Sequence, residues 1–250
     1  MRIVLVLLSL MLSLSAARAQ VGEYRNDFAV GGGVGYLLSN VGFMPEVPQK
    51  MYDGLMAGLA ARYTCEKYFN SICAVSAELN LARVGWKEDL LTPDDQPVIN
   101  SVTGRPEKYE RSIYYLQIPV FARMGWGRER RGLQFFVQAG PQVGFYLGEK
   151  TKSNFEFSQR NSAQRTSKIV AQDTMSVERK VDYGISAGAG LEFSHRKVGH
   201  FMLEARYYYG LGDLYRNSKR DYFGRSNLTN IVVKLTYLFD LQKTDNPKIK

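Results

Sequence analysis

Residues 133–148 read LQFFVQAGPQVGFYLG, and they alternate from end to end. Leu133, Phe135, Val137, Ala139, Pro141, Val143, Phe145 and Leu147 form an apolar set. Gln134, Phe136, Gln138, Gly140, Gln142, Gly144, Tyr146 and Gly148 between them are mostly polar or glycine. Successive side chains of a strand point to opposite faces, so a period of two predicts a β-strand with one apolar and one polar face. The run is far longer than the five or six residues of an average soluble strand.

The same pattern recurs. Val181–Ser194 sets Val181, Tyr183, Ile185, Leu191 and Phe193 against Asp182, Gly184, Ser186, Glu192 and Ser194. Phe201–Gly210 sets Phe201, Leu203, Ala205, Tyr207 and Tyr209 against Met202, Glu204, Arg206, Tyr208 and Gly210. A last strand runs over Thr229–Phe239. Softer alternation covers Asp27–Leu38, Tyr52–Cys65, Ile72–Gly85 and Arg111–Trp126, which makes eight strands and leaves no sustained helical period.

The connections between them alternate in length. Segments 39–51, 87–110, 149–180 and 214–226 are long and polar, whereas 66–71, 127–132 and 195–200 are short. An even strand count puts both ends of the barrel sequence on one side and every long loop on the other, the asymmetry of an outer-membrane β-barrel. The expected fold is therefore all-β, an eight-stranded antiparallel up-and-down transmembrane barrel with long extracellular loops and short periplasmic turns. A soluble β-sandwich is the structural alternative, but it has no reason to sort its loops in this way. The chain has 250 residues, 45% of them hydrophobic, with a mean hydropathy of −0.26. Those values exclude a disordered chain and a bundle of membrane helices, but not a barrel that shows lipid only every second residue.

Residues 1–19 have the build of a cleaved secretory signal, with Arg2, an apolar core from Ile3 to Leu14, and small Ala17 and Ala19. Residues 20–250 are then expected to form one barrel domain, exported to the outer membrane. Removing Arg2 and Arg18 takes the charge from 33 − 24 = +9 to 31 − 24 = +7. Cys65 and Cys73 are the only cysteines. In an oxidising compartment they can form a cross-hairpin disulfide worth roughly 2–3 kcal/mol, the alternative being two buried thiols.

If the apolar face meets lipid, the other face fills the lumen. Arg62, Glu78, Arg123, Asp182, Glu192, Glu204 and Arg206 all fall on it, and unpaired charge there would be costly, so they are expected to form a mutually neutralising ion network. Eight strands leave an interior that side chains can fill, which favours a plugged barrel over an open pore. Tyr36, Tyr63, Trp126, Tyr207, Tyr237 and Phe239 have outward parity near strand ends and are expected to form aromatic girdles.

The order of these pieces resembles the small outer-membrane β-barrel family of Bacteroidetes-type bacteria that includes PorT-like proteins. The resemblance is carried by the glycine-rich Val30–Tyr36, by Tyr115–Val120, by Gly140–Gly144, by Gly188–Phe193 and by the tyrosine-rich Glu204–Leu211. It implies a barrel and, through PorT-like members, an association with type IX protein secretion; it assigns no functional residue.

No catalytic constellation is legible. The only histidines, His195 and His200, fall at the last short turn and are expected to be solvated there, without nucleophile and acid partners beyond Ser194. Gly31–Gly35 lies inside a strand with no following helix or P-loop lysine. Arg128–Arg131 reads as a solvated basic turn. No cofactor or metal is expected, and nucleic acid is not an expected partner.

The expected partners are outer-membrane lipid and lipopolysaccharide, the barrel-assembly machinery and, as the resemblance implies, secretion-system proteins. The functional expectation is a non-enzymatic structural or secretion-accessory barrel, with a small channel or a surface ligand-binding barrel as alternatives. Basic Arg83, Lys87, Lys150 and Lys152 near the outer rim are placed to meet lipid phosphates.

Overall fold

Alternation dictates the architecture of the computed structural model, which describes residues 23–244; the expected leader, 1–19, lies outside them. Eight long strands follow in chain order: β1 (Glu23–Met44), β2 (Tyr52–Tyr68), β3 (Ser71–Glu88), β4 (Tyr109–Gly127), β5 (Gly132–Ser153), β6 (Val181–His195), β7 (Gly199–Asp213) and β8 (Arg225–Gln242). Each pairs antiparallel with its neighbour in sequence, and β1 also pairs with β8, which closes the ring. A two-residue strand, Gln49–Lys50, adds to the outer end of β3. Among the described residues no helix is long and apolar enough to cross a membrane.

The strands are longer than expected, from 15 to 22 residues, whereas a tilted strand crosses the bilayer in roughly 9–11 residues. The surplus lies mostly on the side of the long loops. On β3 the outward positions are Val75, Ala77, Leu79 and Leu81, and then charge begins at Arg83 and Lys87. The ladder continues past the lipid because its inner face there is apolar. Trp86, Tyr109, Ile113, Phe43 and Leu228 pack in the mouth with loop residues Val47, Phe155, Val177, Leu214, Tyr215 and Phe223. Phe43 meets Trp86 edge-on at 5.3 Å and stacks near Phe223 and Tyr215.

The barrel therefore has two interiors. Its outer mouth is an apolar core, and its membrane-level lumen is mainly polar, with Ala29, Ala60, Phe136, Met202 and Leu238 as a small apolar cluster and Phe121 buried beneath Arg206. Glycines make room in that narrow space. A Cβ on Gly190 would lie 2.6 Å from Phe136 Cζ and 2.5 Å from the Leu203 carbonyl, so this position admits no larger residue without repacking.

Period two breaks at defined bulges. Tyr114 pairs with Gly148 but Tyr115 pairs with Tyr146, so one extra residue, Leu147, is inserted in β5. The expected face of Gly148 is thereby reversed: it stands opposite outward Tyr114. Beyond the bulge Glu149 and Thr151 point inward, while Lys150 and Lys152 share the outer face with Ser112 and Glu110.

Candidate functional site

The lumen is built from alternate residues of every strand. Six of the seven charged residues read from parity fall into two clusters. In the first, one carboxylate holds two guanidinium groups: Arg62 donates to Glu192 at 2.6 Å and Arg123 donates to the same oxygen. Arg123 also lies 3.6 Å from the Phe136 ring centroid. In the second, Arg206 and Lys234 meet Glu78 at 2.9 and 2.7 Å, while Glu204 accepts from Gln138 at 2.7 Å and lies 3.5 Å from Arg206. Two cations against two carboxylates leave this cluster neutral, the condition under which buried charge is tolerated. Asp182 stands apart and accepts from Tyr208 at 2.6 Å.

Sequence reading missed three members. Lys234 is fully buried and central to the second cluster. His200 and Asp240 extend the first. The expectation of solvated turn histidines holds for exposed His195 and fails for His200. The last short turn is confined to 196–198, so Gly199 begins β7 and His200 points inward. There it lies 2.7 Å from Glu192, 2.9 Å from Asp240 and 2.8 Å from Ser194 Oγ.

A serine, a histidine and an aspartate in one line resemble a hydrolytic relay, but Glu192 occupies the same ring nitrogen as Ser194. Ser194 is buried, and the adjoining cavity of about 30 Å³ holds a water or two and not a substrate. The arrangement is an imidazole clamped between two carboxylates.

The periplasmic end is closed by side chains of the turn after β4. Glu129 reaches Arg25 and Lys67, each at 2.9 Å, and Arg130 approaches Asp27 at 3.5 Å. In the expected solvated basic turn Arg128 and Arg131 are exposed, whereas Glu129 and Arg130 fold over the periplasmic end, because buried Arg25 inside β1 requires an anion.

The two longest loops are knitted into one cap at the other end. Arg165 pairs with Glu107 at 2.9 Å and approaches Asp173 at 3.6 Å, and Asp173 also faces Arg160 at 3.3 Å. Glu107 further accepts from the Asn100 side chain and the Asn161 backbone N–H. Burial raises the Glu107 carboxyl, but these donors outweigh it and hold it below its ordinary value. Glu88, at the outer tip of β3, takes the opposite course. Burial first, and the Asp173 carboxylate second, push it up to about 8. Protonated, it can donate to Asp173, while Gln172 donates to it at 3.0 Å.

Cys65 and Cys73 are free thiols, a correction to the expected bridge. A bulge between Thr64 and Glu66 takes Cys65 out of register, and Cys73 faces Glu66 instead. Of the aromatic residues, Tyr63, Trp126, Tyr237 and Phe239 stand outward toward the periplasmic ends. Tyr36, donating to Asp53 at 2.7 Å, and Tyr207 are outward but in mid-strand and not at an end, since β1 continues to Met44 and β7 to Asp213.

Residues 18–216 match the family model of the outer membrane protein beta-barrel domain, and the chain belongs to that family. No curated protein matches it. Among solved structures it is similar to Neisserial surface protein A (10% identity, 85% of this chain and 97% of that one, TM-score 0.41). It is similar also to OprG from Pseudomonas aeruginosa (11% identity, 87% and 98%, TM-score 0.45). A third is Ail of Yersinia pestis in complex with the heparin analogue sucrose octasulfate (12% identity, 87% and 99%, TM-score 0.32). The protein is an integral barrel of the outer membrane.

Proposed function

We propose that this chain is a non-enzymatic, non-conducting barrel that holds a folded extracellular cap for partner proteins, in a structural or protein-secretion-accessory role. The observation that carries this reading is the filled lumen. Ion clusters occupy the membrane level and an apolar core with a loop cap occupies the outer mouth. A small channel would need a continuous wet path, and an enzyme would need a substrate cleft beside Ser194; the side chains described above take up both spaces. The cap is the element with a surface to offer, since loops that pack on each other present a fixed shape at little ordering cost. The secretion association rests on the PorT-like resemblance.

Crosslinking in native outer membranes, followed by affinity capture through a C-terminal tag, tests the accessory role. Reproducible recovery of secretion-machinery proteins, lost when the cap is unlatched, is the expected result. Recovery of assembly factors alone would overturn it.

A further inference from the structure

The outer rim carries its cations unevenly. In register across three adjacent strands, Arg83 of β3 stands beside Tyr114 of β4, and Lys87 beside Glu110. Ser112 and Glu110 of β4 in turn stand beside Lys150 and Lys152 of β5. The Leu147 bulge is what turns Lys150 and Lys152 outward.

Lys87 is neutralised by Asp53, and Lys50 by Asp89. Among the described residues Arg83, Lys150 and Lys152 have no carboxylate in ion-pair contact, and Arg83 Nε has no hydrogen-bond partner. Arg83 and Lys150 instead rest over aromatic faces, those of Tyr52 at 5.7 Å and Tyr114 at 6.0 Å. Directly below, the same strands show Leu81, Leu116 and Leu147 outward. Directly above opens a groove of about 740 Å³ whose lysines, such as Lys108 and Lys152, alternate with carboxylates, such as Asp89 and Glu110, so the net cationic surface is the strand face below it. On β6, β7 and β8 the outward positions Tyr183, Leu211 and Thr229 are uncharged, and exposed Arg225 stands alone at the outer start of β8.

We propose that the outward faces of β3, β4 and β5 bind the phosphate groups of a diphosphorylated outer-leaflet glycolipid. Arg83, Lys150 and Lys152 contact the phosphates between them, and the Leu81–Leu116–Leu147 surface lies against the acyl chains. Arg83 lies two strand spacings from β5 and two and four residues along the ladder from Lys150 and Lys152, so these cations spread over roughly 12–17 Å, a span that long side chains close onto a headgroup carrying two phosphates. Three cations outside any ion pair, with Glu110 the carboxylate in register beside Lys152, stand at the level where apolar surface ends; they match a phosphorylated amphiphile better than a soluble anion, which has no use for the leucines below. This site is independent of whether the lumen conducts.

The test is lipid retention by the purified barrel in native mass spectrometry, with diphosphorylated lipid A, its dephosphorylated form and inorganic phosphate as probes. Diphosphorylated lipid A is expected to be retained, and the dephosphorylated form and inorganic phosphate are not. The triple variant R83Q/K150Q/K152Q is expected to lose of order a hundredfold in affinity. The charge-keeping R83K/K150R/K152R retains binding, as does R225Q on β8. If the triple variant does not fold, K150Q and K152Q carry the test singly. Equal retention of dephosphorylated lipid A, full retention by the neutral variants, or equal binding of inorganic phosphate would overturn the proposal.

Discussion

Glu192 shows what a single residue does in this lumen. It is buried and faces Arg62, Arg123 and His200, so its carboxylate compensates several positive or protonatable groups at once. E192Q keeps the shape and removes the charge, leaving two guanidinium groups uncompensated. The expected cost is about 3–5 kcal/mol, read as a lowered urea midpoint in micelles or bilayers. An unchanged midpoint would mean the arginines are neutralised by solvent. Parity alone was enough to find Glu192, Arg62 and Arg123 in the sequence, because no bulge lies between each of them and the middle of its strand. Lys234 escaped because its strand-mates on the same face include Val232 and Leu238, which hide a lone cation in an apolar pattern. His200 escaped because a turn three residues shorter than its polar flanks suggested was enough to reverse the chain.

At the level of elements, the cap is held by a few charges between loops. R165A leaves Glu107 and Asp173 as buried carboxylates without their shared cation. The expected outcome is rapid tryptic cleavage within 154–180 while the barrel keeps its heat-modifiable mobility; equal protection of variant and parent would contradict the latch. Glu88 adds a pH dependence whose sign follows from its raised carboxyl. Folded, it holds a proton up to about 8, against an ordinary value of 4.5, so its contribution is complete below the ordinary value and is lost as pH rises toward and past 8. Asp173, also raised by burial, adds to the same trend, and Arg165, Arg160 and Gln172 are the other groups facing the pair. Limited proteolysis of the cap is therefore expected to be faster near about pH 9 than near about pH 6, and E88Q, which mimics the protonated acid, is expected to shrink the difference to the part Asp173 contributes. The eight strands and their long and short connections were legible in the alternation. Their extra length was not, since above the bilayer the inward face becomes apolar and the two-faced signal fades, as at Val84 and Trp86 of β3. The Leu147 bulge was hidden for a related reason: one inserted residue leaves composition unchanged and reverses every face after it.

For the whole molecule, ring closure, family membership and a lipid-facing band of leucine, valine and aromatic residues agree on an integral outer-membrane barrel. Its filling is charged and paired at membrane level, apolar and capped toward the outside. Side-chain packing decides between a plug and a pore, and it depends on pairings between strands far apart in sequence, such as Arg206 with Glu78. The measurement that tests the central claim most directly is single-channel recording of the purified, folded protein in a planar bilayer. The filled lumen predicts no stepwise current at either polarity, in the parent and in R165A alike, because unlatching the cap leaves the membrane-level ion clusters in place. A steady, reproducible conductance in the parent protein would contradict it.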